Sequence, residues 1–138
     1  MLFYEIKVVY QRQTGEDNPA NVKESYLVEG LTPADVEKRL IEQIKPFIMG
    51  DLEVPSCTKK QYFEIVTSPE ADKWYKGRVE MITVEDDGKE KRHTVSILVQ
   101  ATTAMHAMKN LTQAVNSYDC EIVSIARTNY MEVIRAIN

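Results

Sequence analysis

The sequence offers few side chains that could act as acids, bases or nucleophiles at neutral pH. Its only histidines, His93 and His106, stand 13 positions apart with no cysteine beside either, which is not a spacing of zinc ligands. Glycine-rich phosphate loops, serine-elbow motifs and the paired-histidine zinc motif are absent from the sequence. We therefore predict no catalytic residue, no metal site and no cofactor, and we expect a protein that is not an enzyme. We expect His106 in the exposed first turn of a helix and His93 at a hairpin end.

Two glutamates form the acid pair that most needs an explanation. Glu64 and Glu132 occupy equivalent places in an internal repeat, and each follows a tyrosine, Tyr62 or Tyr130, by two positions. Such a pair could share a proton or hold a cation if the fold brought the two carboxylates together. The simpler interpretation, which we favour, is that each Tyr-x-Glu stretch is one face of a strand.

A set of aromatic and basic residues gives the strongest indication of a binding surface. Trp74, Lys76 and Arg78 alternate along one predicted strand, beside Ser96 and Gln100 on the next. Aromatic rings next to cations can stack planar ligands and hold anions, as nucleotides or single strands require. The same residue types are also enriched in subunit interfaces. A solvated sheet face with no site is the third interpretation.

The first half of the chain contains a matching set. Residues 3–40 align with residues 74–111 without a gap, which pairs Phe3 with Trp74 and Lys7 with Arg78. After a contraction of three residues the match resumes and pairs Tyr62 with Tyr130. Self-similarity of this kind is the signature of a duplicated unit of secondary structure. We therefore predict a single domain, residues 1–138, made of two repeats at 2–67 and 74–136.

Hydrophobic periodicity predicts the order β-β-α-β in each repeat. Apolar residues alternate over each predicted strand, and they recur at helical spacing after Thr32-Pro33 and after Thr103. Pro46 should disturb the last turn of the first helix. The first helix follows Thr32 and the second covers residues 104–117, while Gln11–Asn21 should be a hairpin loop. The predicted strands are 2–11, 22–29, 51–57, 60–67, 74–84, 91–100, 120–127 and 129–136.

The expected fold class is α+β. We expect one mainly antiparallel sheet with a pseudo-two-fold between the repeats and two helices on one face, which would cover Tyr4, Tyr26, Tyr75 and their neighbours. The opposite face should then be open. It would carry these residues: Phe3, Lys7, Ser25, Leu27 and Tyr62 from one repeat, and Trp74, Arg78, Ser96, Leu98 and Tyr130 from the other.

Composition limits the class of protein further. Hydrophobic residues make up 43% of the chain and charged residues 28%, values of an ordinary globular domain. The net charge of −4 gives no general attraction to duplex nucleic acid. Cys57 and Cys120 do not occupy equivalent places in the repeat, so we expect free thiols and a cytoplasmic location. No signal peptide or membrane span is expected.

Short sequence stretches resemble a known family. The chain has WYK at 74–76, LVQA at 98–101 and SYLV at 25–28. These stretches resemble a domain-of-unknown-function family carried by Bacteroidetes bacteria and by their phages and mobile elements. No activity, ligand or catalytic residue accompanies the resemblance. It implies an intracellular protein of a mobile element that acts on a host or phage component.

Three functions remain open from the sequence. The first is a non-enzymatic interaction protein, a homo-oligomer or a binder of a host or phage protein, that uses the open sheet face. The second is a binder of a nucleotide or single-stranded nucleic acid, which could sequester a signalling nucleotide. The third is a structural or scaffold subunit of a phage. We expect the site residues to be Trp74, Lys76, Arg78, Ser96, Gln100, Phe3, Lys7, Tyr62 and Tyr130.

Overall fold

The computed structural model describes residues 2–12 and 20–136. The strands in this part of the chain are β1 (Leu2–Arg12), β2 (Ala20–Glu29), β3 (Ile48–Gln61), β4 (Glu64–Val66), β5 (Lys73–Val84), β6 (Glu90–Ala101), β7 (Cys120–Arg127) and β8 (Tyr130–Ile134). The α-helices are α1 (Pro33–Ile44) and α2 (Ala104–Ala114). The fold class is therefore α+β, as predicted. The centre of the predicted Gln11–Asn21 loop, residues 13–19, lies outside the described residues.

The strands form two four-stranded sheets, so the expectation of one sheet is wrong. Unit 1 comprises the described residues up to Gln61 together with those from Asn129 onward, and its strand order is β3-β1-β2-β8. Unit 2 comprises Tyr62 to Thr128, with the order β4-β6-β5-β7. Pairing is antiparallel except for β2 with β8 and β4 with β6. After Gln61 the chain passes from the first sheet to the second. The Phe63 N–H donates to the Ser96 carbonyl, and β4 then pairs with β6.

The pairs β1–β2 and β5–β6 share their register, and the strand order β3-β1-β2-β8 corresponds to β7-β5-β6-β4 in the second sheet. In unit 1 the pair β1–β2 places Val8 opposite Glu24, and in unit 2 the pair β5–β6 places Val79 opposite Val95. The numbers of both strands differ by 71 between the units, which is the offset of the sequence alignment. Because opposite residues share a face, each position of β1 and β2 has an equivalent position in β5 and β6.

Both helices begin where the sequence places them. Thr32 Oγ1 accepts a hydrogen bond from the Asp35 amide, and Thr103 Oγ1 accepts one from the His106 amide, each at 3.1 Å. These bonds satisfy amides that the first turn leaves without a partner. Helix α1 ends at Ile44, and Pro46 lies in the 3₁₀ turn Lys45–Phe47 that follows, so the expected disturbance is confirmed.

Each helix covers one face of the sheet in its own unit. The core of unit 1 joins apolar side chains of β1 and β2 to α1: Tyr4, Ile6, Val8, Tyr26, Val28, Val36, Leu40 and Ile44. The core of unit 2 joins β5 and β6 to α2: Tyr75, Val79, Ile97, Val99, Ala107, Leu111 and Val115. The predicted helix-covered faces are therefore confirmed.

The opposite faces are not open along their whole length. Phe3 is fully buried and Trp74 is only 7% exposed, within this single chain, and Leu27 and Leu98 are fully buried as well. The prediction that these four residues are available at an open face is therefore wrong. The physical reason is that both faces of these strand ends carry large apolar side chains, and strands of that kind are stable when both faces are covered. Farther along the strands the same faces become polar and exposed.

None of the helices in residues 2–12 and 20–136 is long and apolar enough to span a membrane.

Candidate oxyanion-binding rows

A basic side chain lies between two serines on the helix-free face of unit 2. Arg78 on the central strand β5 is directly opposite Ser96 on β6 and Ser124 on β7. Directly opposite residues share a face, with Cβ atoms about 5 Å apart. The two serines therefore flank the Arg78 side chain on this face. We call Ser96, Arg78 and Ser124 the arginine row.

Unit 1 contains the equivalent arrangement with a lysine. Lys7 on β1 is directly opposite Ser25 on β2 and Ser56 on β3. We call these three residues the lysine row. Lys7 and Arg78 are exposed, Ser56 and Ser96 are half-buried, and Ser25 is buried.

Among the residues that the structure describes, none is a counter-ion to the basic side chains of the two rows. Within residues 2–12 and 20–136, neither Lys7 nor Arg78 takes part in a hydrogen bond or an ion pair. The nearby Arg92 differs, because its guanidinium lies 2.7 Å from the Glu80 carboxylate and 3.7 Å from that of Glu121. An exposed cation beside two hydroxyls presents an ammonium or guanidinium donor and two O–H donors, which is the chemistry that binds phosphate and related oxyanions.

The structure separates the residues that the sequence predicted for one site. Lys7 and Arg78 are exposed and Lys76 and Ser96 are half-buried, so these four lie at accessible parts of the helix-free faces. The other aromatic members are buried with Trp74: Phe3, Tyr62 and Tyr130. Trp74 is therefore not available as an exposed stacking ring beside Lys76 and Arg78, which was one of the three interpretations of this residue set.

Gln100 has a structural contact instead of a free amide. Its Oε1 accepts a hydrogen bond from the Ser68 amide at 3.0 Å, and its Nε2 donates to the Ala71 carbonyl at 2.9 Å. Both ends of the side-chain amide therefore fix the segment that leads from β4 to β5. Glu64 and Glu132, the candidate acid pair, lie on β4 in one sheet and on β8 in the other.

Unit 1 contains a buried polar cluster that was not predicted from the sequence. Glu24 is only 7% exposed, and its Oε1 accepts hydrogen bonds from the hydroxyls of Tyr10 and Tyr26, the latter at 3.0 Å. Arg12 Nη2 donates to the Tyr10 hydroxyl at 2.8 Å and lies 3.6 Å from the same carboxylate oxygen. We call Tyr10, Arg12, Glu24 and Tyr26 the Glu24 cluster.

The environment of the cluster raises the pKa of both phenols. Burial is the largest cause for each tyrosine, and the adjacent Glu24 carboxylate adds to it. The Arg12 guanidinium also lies 5.4 Å from the centre of the Phe47 ring, within the range of a cation–π contact. The cluster therefore holds a carboxylate, a guanidinium and two neutral phenols in one hydrogen-bonded network.

A signal for this cluster was present in the alternation of β2. Tyr26 and Val28 were assigned to the helix-covered face, and Glu24 has the same parity, so it had to lie on that face too. At the equivalent positions unit 2 has no buried charge: Met81, Thr83, Val95 and Ile97. The cluster is thus specific to unit 1.

The chain was compared with known protein families and with curated proteins. A family model described as "Domain of unknown function (DUF4494)" matches residues 2–136. A comparison with curated proteins found no match.

Proposed function

The chain belongs to the DUF4494 family, a family of unknown function, and we propose that this member is a non-enzymatic binding protein that holds oxyanions on its two serine-flanked rows. The observation that carries the proposal is the arginine row, where Arg78 is exposed between Ser96 and Ser124. A partner would be bound through its phosphate, sulfate or carboxylate groups.

Charge and geometry both support this function. A guanidinium forms charge-assisted hydrogen bonds to oxyanions that are about twice as strong as neutral ones. Serine is small, so an oxyanion can approach the cation between the two hydroxyls. Lys76 lies two residues before Arg78 on the same face and adds a second positive charge without an ion-pair partner among the described residues. Lys76 and Arg78 therefore place two positive charges side by side on this face, whereas the next residue of β5 on the face, Glu80, is paired with Arg92.

We further propose that the two rows descend from one duplicated unit. The equal strand order, the constant offset of 71 in β1–β2 and β5–β6, and the equivalence of Lys7 with Arg78 support this origin. Ser56 lies opposite Lys7 as Ser124 lies opposite Arg78, so residue numbers in β3 and β7 differ by 68. The self-association expected through Phe3 and Trp74 has lost its structural motivation, because both side chains are buried.

A titration with inorganic phosphate followed by amide NMR tests the proposed function. Phosphate should shift the amides of Arg78, Ser96 and Ser124, and separately those of the lysine row, when compared with chloride at equal ionic strength. A site of this exposure should bind with a dissociation constant of about 1–10 mM, equivalent to roughly 3–4 kcal/mol.

Variants of each row should separate the two sites. Arg78→Gln should abolish the shifts in the arginine row and leave those in the lysine row, while Lys7→Gln should do the reverse. Arg127→Gln is the matched control, because Arg127 is an exposed arginine of the same sheet that lies opposite Tyr75, on the helix-covered face. Equal effects of Arg78→Gln and Arg127→Gln, or no shift with phosphate, would refute the proposal.

A further inference from the structure

Among the described residues, the two sheets end in four edge strands: β3 and β8 in unit 1, and β4 and β7 in unit 2. An edge strand presents unpaired N–H and C=O groups along its outer side, so another strand can add to it. Natural edges are protected against this by short length, by proline or by lysine. Strand β4 has three residues and β8 has five, and β3 contains Pro55, Lys59 and Lys60. Three of the four edges are therefore protected.

Strand β7 has none of these three protective features. It is eight residues long and contains no proline, glycine or lysine. Within the part of the chain that the structure describes, its only backbone partner is β5, on its inner side. Val123, Ser124 and Ala126 are exposed, and Val123 is 52% exposed although it is apolar. The outer edge of β7 is therefore accessible to another strand.

The proline that protects β3 has an apolar equivalent in β7. With the offset of 68 between these strands, Pro55 corresponds to Val123. Both residues lie at a shift of the strand register, directly before the serine that is opposite the central cation: Ser56 or Ser124. A proline is therefore compatible with this position of the sheet. Unit 2 has instead a residue that keeps its N–H group and favours strands.

The register shift at Val123 determines how two copies of β7 can pair. Glu121 and Ser124 both lie on the helix-free face although they are three residues apart, because the shift adds one residue between them. Directly opposite residues of an antiparallel pair share a face. Two copies related by a two-fold axis can therefore place Glu121 of each opposite Ser124 of the other. In the same register Cys120 lies opposite Ile125, and both belong to the helix-covered face.

The charges of β5 and β7 support this register. It extends the arginine row by Glu121 of the second copy, which is two strand spacings, about 10 Å, from Arg78. The long side chains of arginine and glutamate can bridge that distance. Arg78 has no counter-ion among the described residues of its own chain, and the Glu121 side chain is 70% exposed, with Arg92 at 3.7 Å. The two-fold axis forms the contact twice.

We propose that two copies of this chain pair through the outer edges of β7, so that the Glu121 carboxylate of each copy is the oxyanion at the arginine row of the other. The two four-stranded sheets then become one continuous sheet. The choice of register rests on the proposed oxyanion binding by the arginine row, whereas the pairing of the edges does not. An edge contact with two surface ion pairs is small, so the dissociation constant should be about 0.1 mM.

Sedimentation equilibrium of the full chain tests the pairing, in chloride buffer without phosphate and between about 0.01 and 1 mM protein. The average mass should rise with concentration towards that of two chains. Val123→Pro, which copies unit 1, should weaken dimerisation about tenfold or more, because it removes an N–H group from the edge. Val123→Thr keeps that group and is the matched control. Unchanged amide shifts in β5 and β6 will show that Val123→Pro remains folded.

An exchange of charges tests the register. Glu121→Lys should weaken dimerisation about fivefold or more, because it places a like charge beside Arg78 of the second copy. The double variant Glu121→Lys, Arg78→Glu should restore dimerisation to within about twofold of the original, since the two charges are then opposite again. Glu53→Lys changes the equivalent glutamate of β3 and should have no effect.

A chain that stays monomeric at about 1 mM would overturn the inference, because the edge would then be free or would take a different chain. A dimer that Val123→Pro leaves intact, or a double variant as weak as Glu121→Lys, would overturn it as well. Phosphate binding is separable, since Val123→Pro keeps the arginine row. If phosphate shifts that row while the wild type is monomeric, only this inference is wrong. If phosphate has no effect while the charge exchange restores the dimer, only the proposed phosphate binding is wrong.

Discussion

Replacing Glu24 by valine should destabilise unit 1, although valine occupies the equivalent position in unit 2. The change removes the acceptor that holds the hydroxyls of Tyr10 and Tyr26 and the guanidinium of Arg12. Val95 shows that an apolar side chain fits this register, because it lies opposite Val79 as Glu24 lies opposite Val8. The loss should therefore come from the stranded donors and not from the shape of valine.

The magnitude follows from the burial of the cluster. A buried donor without a partner costs about 1–3 kcal/mol, and two phenols are affected. The Arg12 side chain is 37% exposed, so water replaces part of its lost ion pair and its contribution is small. We expect the free energy of unfolding to fall by about 2–4 kcal/mol, and the melting temperature by roughly 6–15 °C for a chain of this size.

Urea unfolding and hydrogen exchange of the unit 1 amides would measure the change. Glu53→Val is the matched control, since Glu53 is exposed on β3 of the same sheet. The combined replacement of the cluster by the residues of unit 2, Tyr10→Met, Arg12→Thr, Glu24→Val and Tyr26→Ile, should recover stability to within about 1 kcal/mol of the original. The reasoning is wrong if Glu24→Val alone is harmless, or if the fourfold variant is no more stable than Glu24→Val.

Three further predictions concern single side chains. Gly77→Ala should lower the free energy of unfolding by about 1–3 kcal/mol, because the new Cβ would lie 2.5 Å from Cδ2 of the fully buried Leu111; an unchanged urea midpoint would contradict this. Burial raises the pKa of Tyr26 above its usual value of 10, so the stabilisation by the neutral phenol is present below pH 10 and is lost at higher pH. Urea unfolding between about pH 9 and 11.5 should therefore depend less on pH in Tyr26→Phe than in the wild type. Burial, and then the charge of Glu37, raise the pKa of the Cys57 thiol, so Glu37→Gln should accelerate its alkylation by iodoacetamide near pH 8; an equal or slower rate would refute this cause.

Local sequence patterns predicted the elements and their faces because those features depend on near neighbours. The alternation in β1 and β5 assigned Tyr4 and Tyr75 to the helix-covered faces, and the threonine caps marked both helix starts. The division into two sheets was missed, since the pairing of a three-residue strand such as β4 depends on a partner some 30 residues away. Nothing in the alternation of residues 60–67 specifies that partner.

The candidate site was predicted in part for the same reason. The alternation of side chains along β1 and β5 placed Lys7 and Arg78 on the helix-free faces, and both are exposed there in the structure. This alternation does not indicate which other part of the chain covers a face, so it could not predict that Trp74 and Phe3 are buried. It did contain the position of Glu24, but alternation does not show that a buried carboxylate will find partners, here Tyr10 and Tyr26, on the same face.

The differences between the two units indicate which features serve something other than the fold. The Glu24 cluster has only apolar or neutral equivalents in unit 2, so a sheet of this register does not require a buried charge. The serines of the rows, in contrast, are the same in both units: all four positions opposite Lys7 and Arg78 carry serine. Strands favour β-branched and aromatic residues, so strand stability alone gives no reason for serine at four equivalent positions. A shared requirement for small hydroxyl donors around an exposed cation does give one, and it is the requirement that oxyanion binding imposes.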